Sequence, residues 1–209
     1  MKDAILIQQV EEAASDKWGS MIALYYSRHV DYCQAHKMDY WAQIGPVRYY
    51  LKSPWMKIAM AQQAFLDGYK YVAWLDADAY IERMDADLRA ACVGPVNAVR
   101  WEYPLSHLQA GALYFNNDQN NAYTITTHML EERKYYLERF PTLRGWFEQG
   151  QMNEMARQEQ TKPFFNEIGI EWNWGAHYCP PCEKPIVIAW HGVEFDTKFA
   201  EMRERLASR

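Results

Sequence analysis

The stretch from Ser53 to Asp78 constrains this chain more than any other. Ser53 is a residue type whose hydroxyl accepts from the free amides of a helix start, and Pro54 suits the first helical position. Trp55, Ile58, Ala59, Gln62 and Phe65 then recur at helical spacing, and Gly68 supplies a residue that ends a helix easily. Tyr69-Lys70-Tyr71-Val72-Ala73-Trp74-Leu75 follows as a mostly apolar run, the pattern of a parallel strand buried on both faces. It ends in Asp76-Ala77-Asp78. Helix, buried strand and then acids at the strand's carboxyl end is the layout of a ligand site in an open α/β sheet.

Strand alternation predicts that Asp76 and Asp78 share one face, with Ala77 on the other. Two carboxylates so close repel, which raises the pKa of one unless a cation lies between them. Hard oxygen donors suit Mg²⁺ or Mn²⁺ and leave coordination positions open for diphosphate oxygens. The plainer alternative is a strand-end turn whose aspartates bond nearby backbone amides. Asp85-Ala86-Asp87 is an internal control: the same letters follow Glu82-Arg83-Met84, with no apolar strand, and precede the helical Leu88-Arg89-Ala90-Ala91. Aspartates there are explained by capping and the helix dipole. For a third metal ligand the chain offers His191, between the apolar run Ile186–Trp190 and Gly192, with His177 as its competitor.

Around this unit strand-like and helix-like patterns alternate without repeat or linker. Strands are expected at Ala4–Gln9, Ala98–Tyr103, Ala110–Phe115 and Ile186–Trp190. Helices are expected at Met21–His36, Tyr123–Phe140, Glu148–Gln158 and Glu194–Ala207, with a loop at Gly45-Pro46 and a turn at Asn116-Asn117-Asp118. Such alternation predicts a three-layer α/β domain, and 209 residues suit one domain over 1–209.

Composition narrows the function. A net charge of −5 argues against affinity built on neutralising many phosphates, so nucleic acid is not the expected partner. No apolar run is long enough to span a bilayer, and Met1–Ile7 has no signal-peptide pattern, so a cytosolic protein is expected. Cys33 and Cys92 read as buried thiols, and Cys179-Pro180-Pro181-Cys182 lacks a second pair to complete a zinc site. Aromatics reach 15%, more than a generic core needs, and their rings suit the C–H faces of sugars.

Several segments together carry a family resemblance. Trp55-Met56-Lys57 followed by Trp74-Leu75-Asp76-Ala77-Asp78-Ala79 resembles the glycosyltransferase family of yeast mannan α-galactosyl/mannosyltransferases and plant xyloglucan α-xylosyltransferases. Asp31–His36, Gln109–Asn117, Glu148-Gln149 and His191-Gly192 are similar to further segments of that family, in the same order. The chain departs at Asn116, where the family has Arg, at Gln109, where it has Asn, and in Gly192 following His191 directly. The resemblance implies a GT-A (Rossmann-like) α/β/α fold with a central mixed sheet. It also implies Mn²⁺ or Mg²⁺ on Asp76, Asp78 and His191, donor contacts from Lys57 and Asp76, and sugar contacts from Gln109 and Gly111. Retention of configuration places Glu148 and Gln149 beside the anomeric carbon. The missing Golgi anchor and stem imply a bacterial or phage-type enzyme.

The expected function is transfer of a hexose or pentose from a UDP- or GDP-sugar to an acceptor hydroxyl. Glycans, proteins and modified nucleobases all stay open as acceptors. A non-catalytic nucleotide-sugar-binding module is the main alternative. A nucleotidyltransferase needs a Gly-rich basic loop after its first strand, where this chain has Gln8-Gln9-Val10-Glu11-Glu12.

Overall fold

The computed structural model describes residues 2–10, 15–44, 53–102, 106–140 and 147–208. Its strands are β1 (Lys2–Val10), β2 (Asp39–Ile44), β3 (Tyr69–Leu75), β4 (Ala79–Ile81), β5 (Val96–Trp101), β6 (His107–Leu108), β7 (Ala112–Asn116), β8 (Phe165–Ile168), β9 (Trp174–Gly175) and β10 (Val187–Ala189). The helices are α1 (Ser15–Ala35), α2 (Ser53–Leu66), α3 (Asn121–Arg139), α4 (Phe147–Met155) and α5 (Phe195–Ala207). Among the described residues, seven strands form one sheet in the order β2-β1-β3-β7-β5-β6, with β8 paired to β5. β1 runs parallel to β2 and β3, while β7 is antiparallel to both β3 and β5, so the sheet is mixed.

Strand alternation divides the core. Ile5, Ile7, Val72, Trp74, Leu113 and Phe115 face a layer built from α2, α3 and α4. Their neighbours Ala4, Leu6, Ala73, Leu75, Ala112 and Tyr114 face the other way, against the end of α1 and a small sheet ordered β4-β10-β9. A third cluster joins Met21 and Tyr25 of α1, Tyr80 of β4, Ile188 of β10 and Met202 of α5. Both faces of the central strands are therefore dry, which explains their unbroken apolar runs.

The connection β1–α1–β2 leads to one side of β1, whereas α2 leads back to β3 on the other. Strand order reverses between β1 and β3, and the crevice beyond their carboxyl ends is where such sheets bind ligands. Gly68, at φ 93°, closes α2 in the left-handed region that an L side chain resists, and the chain turns straight into β3.

The outcome differs from expectation at the edges of elements and in the short strands. α1 begins at Ser15 rather than Met21, α4 stops at Met155 rather than Gln158, and Ala110 lies before β7 rather than within it. β5 begins at Val96, and Tyr103 lies outside the described residues, as does the Gly45-Pro46 loop. Asn116 closes β7, and the turn falls on Asp118–Asn120, where Gln119 and Asn120 adopt positive φ. β2, β4, β6, β8 and β9 have no counterpart among the expected elements. Among the described residues no helix is long and apolar enough to cross a membrane.

Candidate active site

Asp76 to Ala79 form a turn at the carboxyl end of β3, closed by the Ala79 N–H donating to the Asp76 carbonyl at 3.0 Å. This corrects the expectation of strand alternation: the pleat stops at Leu75, and the turn brings the two carboxylates together. Their bonds go to Trp74, two residues back on β3, and to side chains from distant parts of the chain. Asp76 accepts from Trp74 Nε1 at 2.7 Å and pairs with Lys57 Nζ at 3.0 Å. Asp78 pairs with Lys198 Nζ at 2.7 Å and with His191 Nδ1 at 3.0 Å. Asp87, by contrast, caps the turn Leu88–Ala91 by accepting from the Arg89 amide at 2.9 Å, the structural role its sequence context predicts.

Asp76, Asp78 and His191 each offer a ligand atom, all within 4.8 Å of one another, the one such triad among the described residues. β10 carries His191 into place: at the residue before it, the Trp190 amide donates to the Asp78 carbonyl at 3.0 Å. The imidazole packs 5.6 Å from the Trp101 ring, and its Nε2 is buried without a partner among the described residues. A Cβ on Gly111 would lie 1.9 Å from that Nε2, so only glycine permits the approach. His177 is exposed, bonded to Glu201 at 2.8 Å, and lies outside the triad.

Lys57, expected as a donor contact, lines the cleft and is bonded within it. Its ammonium donates to Asp76, to Glu148 Oε1 at 2.9 Å and to the Ala110 carbonyl at 2.9 Å, so its three protons bind the wall of the site. Gln149 likewise spends its carbonyl on the Ala110 amide at 2.9 Å. Gln109 donates to His107 Nε2 at 2.9 Å. One helical turn beyond Gln149, Asn153 accepts from the Leu108 amide at 2.7 Å and donates to its carbonyl at 2.9 Å. Side chains of α4 thus serve residues 108–110 as a neighbouring strand would.

Electrostatics matches this geometry. Burial alone would push Asp78 up, but His191 and Lys198 outweigh it and hold the carboxyl well below the usual range. Burial opposes charge on Lys57 as well, and the flanking carboxylates of Asp76 and Glu148 more than compensate, raising it. Glu148 is raised by burial against the pull of Lys57. Three carboxylates face two ammonium groups, and the third positive charge comes either from a proton on His191, whose pKa Asp78 raises against the effect of burial, or from an added cation in its place.

All eight residues named from the sequence, Lys57, Asp76, Asp78, Gln109, Gly111, Glu148, Gln149 and His191, line one cleft of about 510 Å³. Sequence reasoning missed Lys198, whose side chain is 4% exposed. A signal existed: Phe195, Phe199, Met202 and Leu206 mark the buried face of α5, and Lys198 sits on that face at i+3 from Phe195. It also missed Gln9 and Trp18, which line the same cleft, Gln9 with a buried and unpartnered Nε2.

No protein-family model matches the chain, and no curated protein matches it. Solved structures do. A glycosyltransferase involved in glycosylation of the major capsid of PBCV-1 superposes with a TM-score of 0.72 at 12% identity, covering 98% of this chain and 100% of that one. The glycosyltransferase GlyE of Streptococcus pneumoniae TIGR4 superposes at 0.57, also with 12% identity, over 100% of this chain and 64% of its own length. Its apo form gives 0.58, with 63% of its length covered. With a mixed sheet, flanking helices and these neighbours, the chain has a GT-A-like α/β fold.

Proposed function

We propose that this chain is a glycosyltransferase that moves a hexose or pentose from a uridine or guanosine diphosphate sugar to an acceptor hydroxyl, with retention of configuration and with Mn²⁺ or Mg²⁺. The observation that carries the reading is the triad of Asp76, Asp78 and His191 at the switch-point crevice of a GT-A-like sheet. The residues fit a divalent ion: two carboxylates and an imidazole are suitable donors, and the orphaned Nε2 of His191 is a buried polar atom that calls for a partner. When bound, such an ion supplies positive charge for a departing diphosphate.

The chain's own groups supply the rest. Lys57 keeps the Asp76 and Glu148 carboxylates from repelling and holds both at the cleft wall. Lys198 fixes Asp78 from behind, so its other oxygen stays beside His191. Glu148 presents negative charge to an oxocarbenium-like centre, or orients the acceptor hydroxyl. A phosphate oxygen of the donor takes the acceptor proton in a front-face displacement.

The test is a panel of nucleotide sugars with Mn²⁺, reading released nucleoside diphosphate. Asp78→Ala is expected to lower turnover at least about a hundredfold. Wild-type turnover in that variant removes the metal role. Mn²⁺-dependent nucleotide binding with no turnover on any sugar instead marks a non-catalytic binding module.

A further inference from the structure

Behind the Asp76–Ala79 turn lies a buried polar network that the reaction itself does not use. Gln8 on β1 is fully buried, and so are Tyr25 and His29 on α1. Its hydrogen bonds have a single consistent direction. The Ile81 amide donates to His29 Nε2 at 3.0 Å, so the ring proton sits on Nδ1, which donates to Gln8 Oε1 at 2.8 Å. Tyr40 on β2 donates to the same oxygen at 2.7 Å. With its carbonyl thus occupied, the Gln8 amide nitrogen must face the turn. Its two protons serve three acceptors, Tyr25 Oη at 3.2 Å, the Ala79 carbonyl at 3.4 Å and the Asp76 carbonyl at 3.5 Å, so one proton is shared. Tyr25 Oη donates onward to the Ala77 carbonyl at 2.7 Å.

The consequence lies in which peptides are held. The Ala77 carbonyl belongs to the peptide that joins Ala77 to Asp78, and the Asp76 carbonyl to the one before it. Rotating either peptide swings one carboxylate relative to the other. The Asp76 carbonyl is held by the turn's own bond from the Ala79 amide, and the Asp76 amide and the Asp78 carbonyl are bonded to Gly111 and Trp190, so among the described residues the Ala77 carbonyl is the one held by a side chain alone. Tyr25 of α1 limits rotation at the Ala77 carbonyl and Gln8 of β1 adds to the hold on Asp76 and Ala79, with His29 and Tyr40 fixing Gln8 in turn; such a hydrogen-bonded cluster has few alternative arrangements.

We infer that Tyr25, with Gln8, His29 and Tyr40 behind it, forms a positioning device that sets the spacing of the Asp76 and Asp78 carboxylates for a divalent cation. This rests on the proposed metal reading of the same site. Tyr25 touches no ligand in this scheme; it acts through the Ala77 carbonyl.

The experiment is titration of the intact chain with Mn²⁺ followed by electron paramagnetic resonance, alongside thermal melts. Tyr25→Phe keeps the ring and deletes one donor. It is expected to weaken Mn²⁺ binding about tenfold, as removal of outer-shell partners does, and to broaden the spectrum of the bound ion. Tyr40→Phe, one bond further from the turn, is expected to act in the same direction and less. Tyr114→Phe is the structural control: it deletes an equally buried hydroxyl, bonded to the Trp172 carbonyl at 2.6 Å on β7, and should lower the melting temperature without moving Mn²⁺ affinity. Unchanged affinity in Tyr25→Phe, or an equal loss in Tyr114→Phe, overturns the inference. A wild-type chain that binds no Mn²⁺ overturns the metal reading itself and the inference with it.

Discussion

Lys57 shows how a single buried charge organises the site. Its ammonium, 7% exposed, is shared by Asp76, Glu148 and the Ala110 carbonyl, so three elements converge on one nitrogen. Removing one member of a buried ion cluster leaves the others uncompensated, which costs far more than the net worth of the pair. Lys57→Met is therefore expected to lower stability by about 3–5 kcal/mol, read from urea unfolding. A loss under about 1 kcal/mol means that water already reaches the carboxylates and that this account of the wall is wrong. Lys57 was visible in the sequence as a chemical candidate. Its actual partners were not, because Glu148 and Ala110 come from distant segments.

At the scale of elements, α4 does unusual service. Gln149 and Asn153, one turn apart on the same face, bond the backbone of residues 108–110 where a strand neighbour would normally do so. Those residues carry Gln109 and lead into Gly111 beside His191. Asn153→Ala strips both bonds from Leu108 and is expected to cost about 1–3 kcal/mol, measurable as a fall in the urea midpoint. If the midpoint holds, β6 is stabilised by other contacts. Most elements that the sequence disclosed are long enough for their period to show; Tyr69–Leu75 and the helix before it are examples. β10, only three residues long, was marked by the apolar run Ile186–Trp190 around it. β4, β6 and β9 have three, two and two residues, too few for any pattern, and exist only through the strands they pair with. β2 escaped for another reason: Asp39-Tyr40-Trp41-Ala42-Gln43-Ile44 mixes polar and apolar residues because it lies at the sheet edge.

For the whole molecule, the buried network predicts an acid sensitivity. Burial lowers His29 to about 3 from an ordinary value of 6.5, so the folded chain keeps it neutral. Between those values the unfolded chain binds a proton that the folded chain refuses. Stability from this group is thus complete above pH 6.5 and is lost as the pH falls towards 3, by about 1.4 kcal/mol per unit. Urea unfolding at pH 7, 6 and 5 should show this slope in the wild type and a shallower one in His29→Asn. Equal slopes would assign the acid sensitivity to other groups.

The sequence alone settled whatever near neighbours decide. A helical apolar period, a glycine stop and a continuous apolar run specify α2, β3 and the acidic end, since each depends on residues a few positions away. It also distinguished Asp76-Ala77-Asp78 from the same letters at Asp85, because the flanking residues differ. Only the tertiary structure decided what those aspartates face. Lys198 lies 120 positions from Asp78 and bonds it at 2.7 Å, and the reversal of strand order between β1 and β3 opens the cleft. Such pairings come from the packing of layers, which no local period encodes.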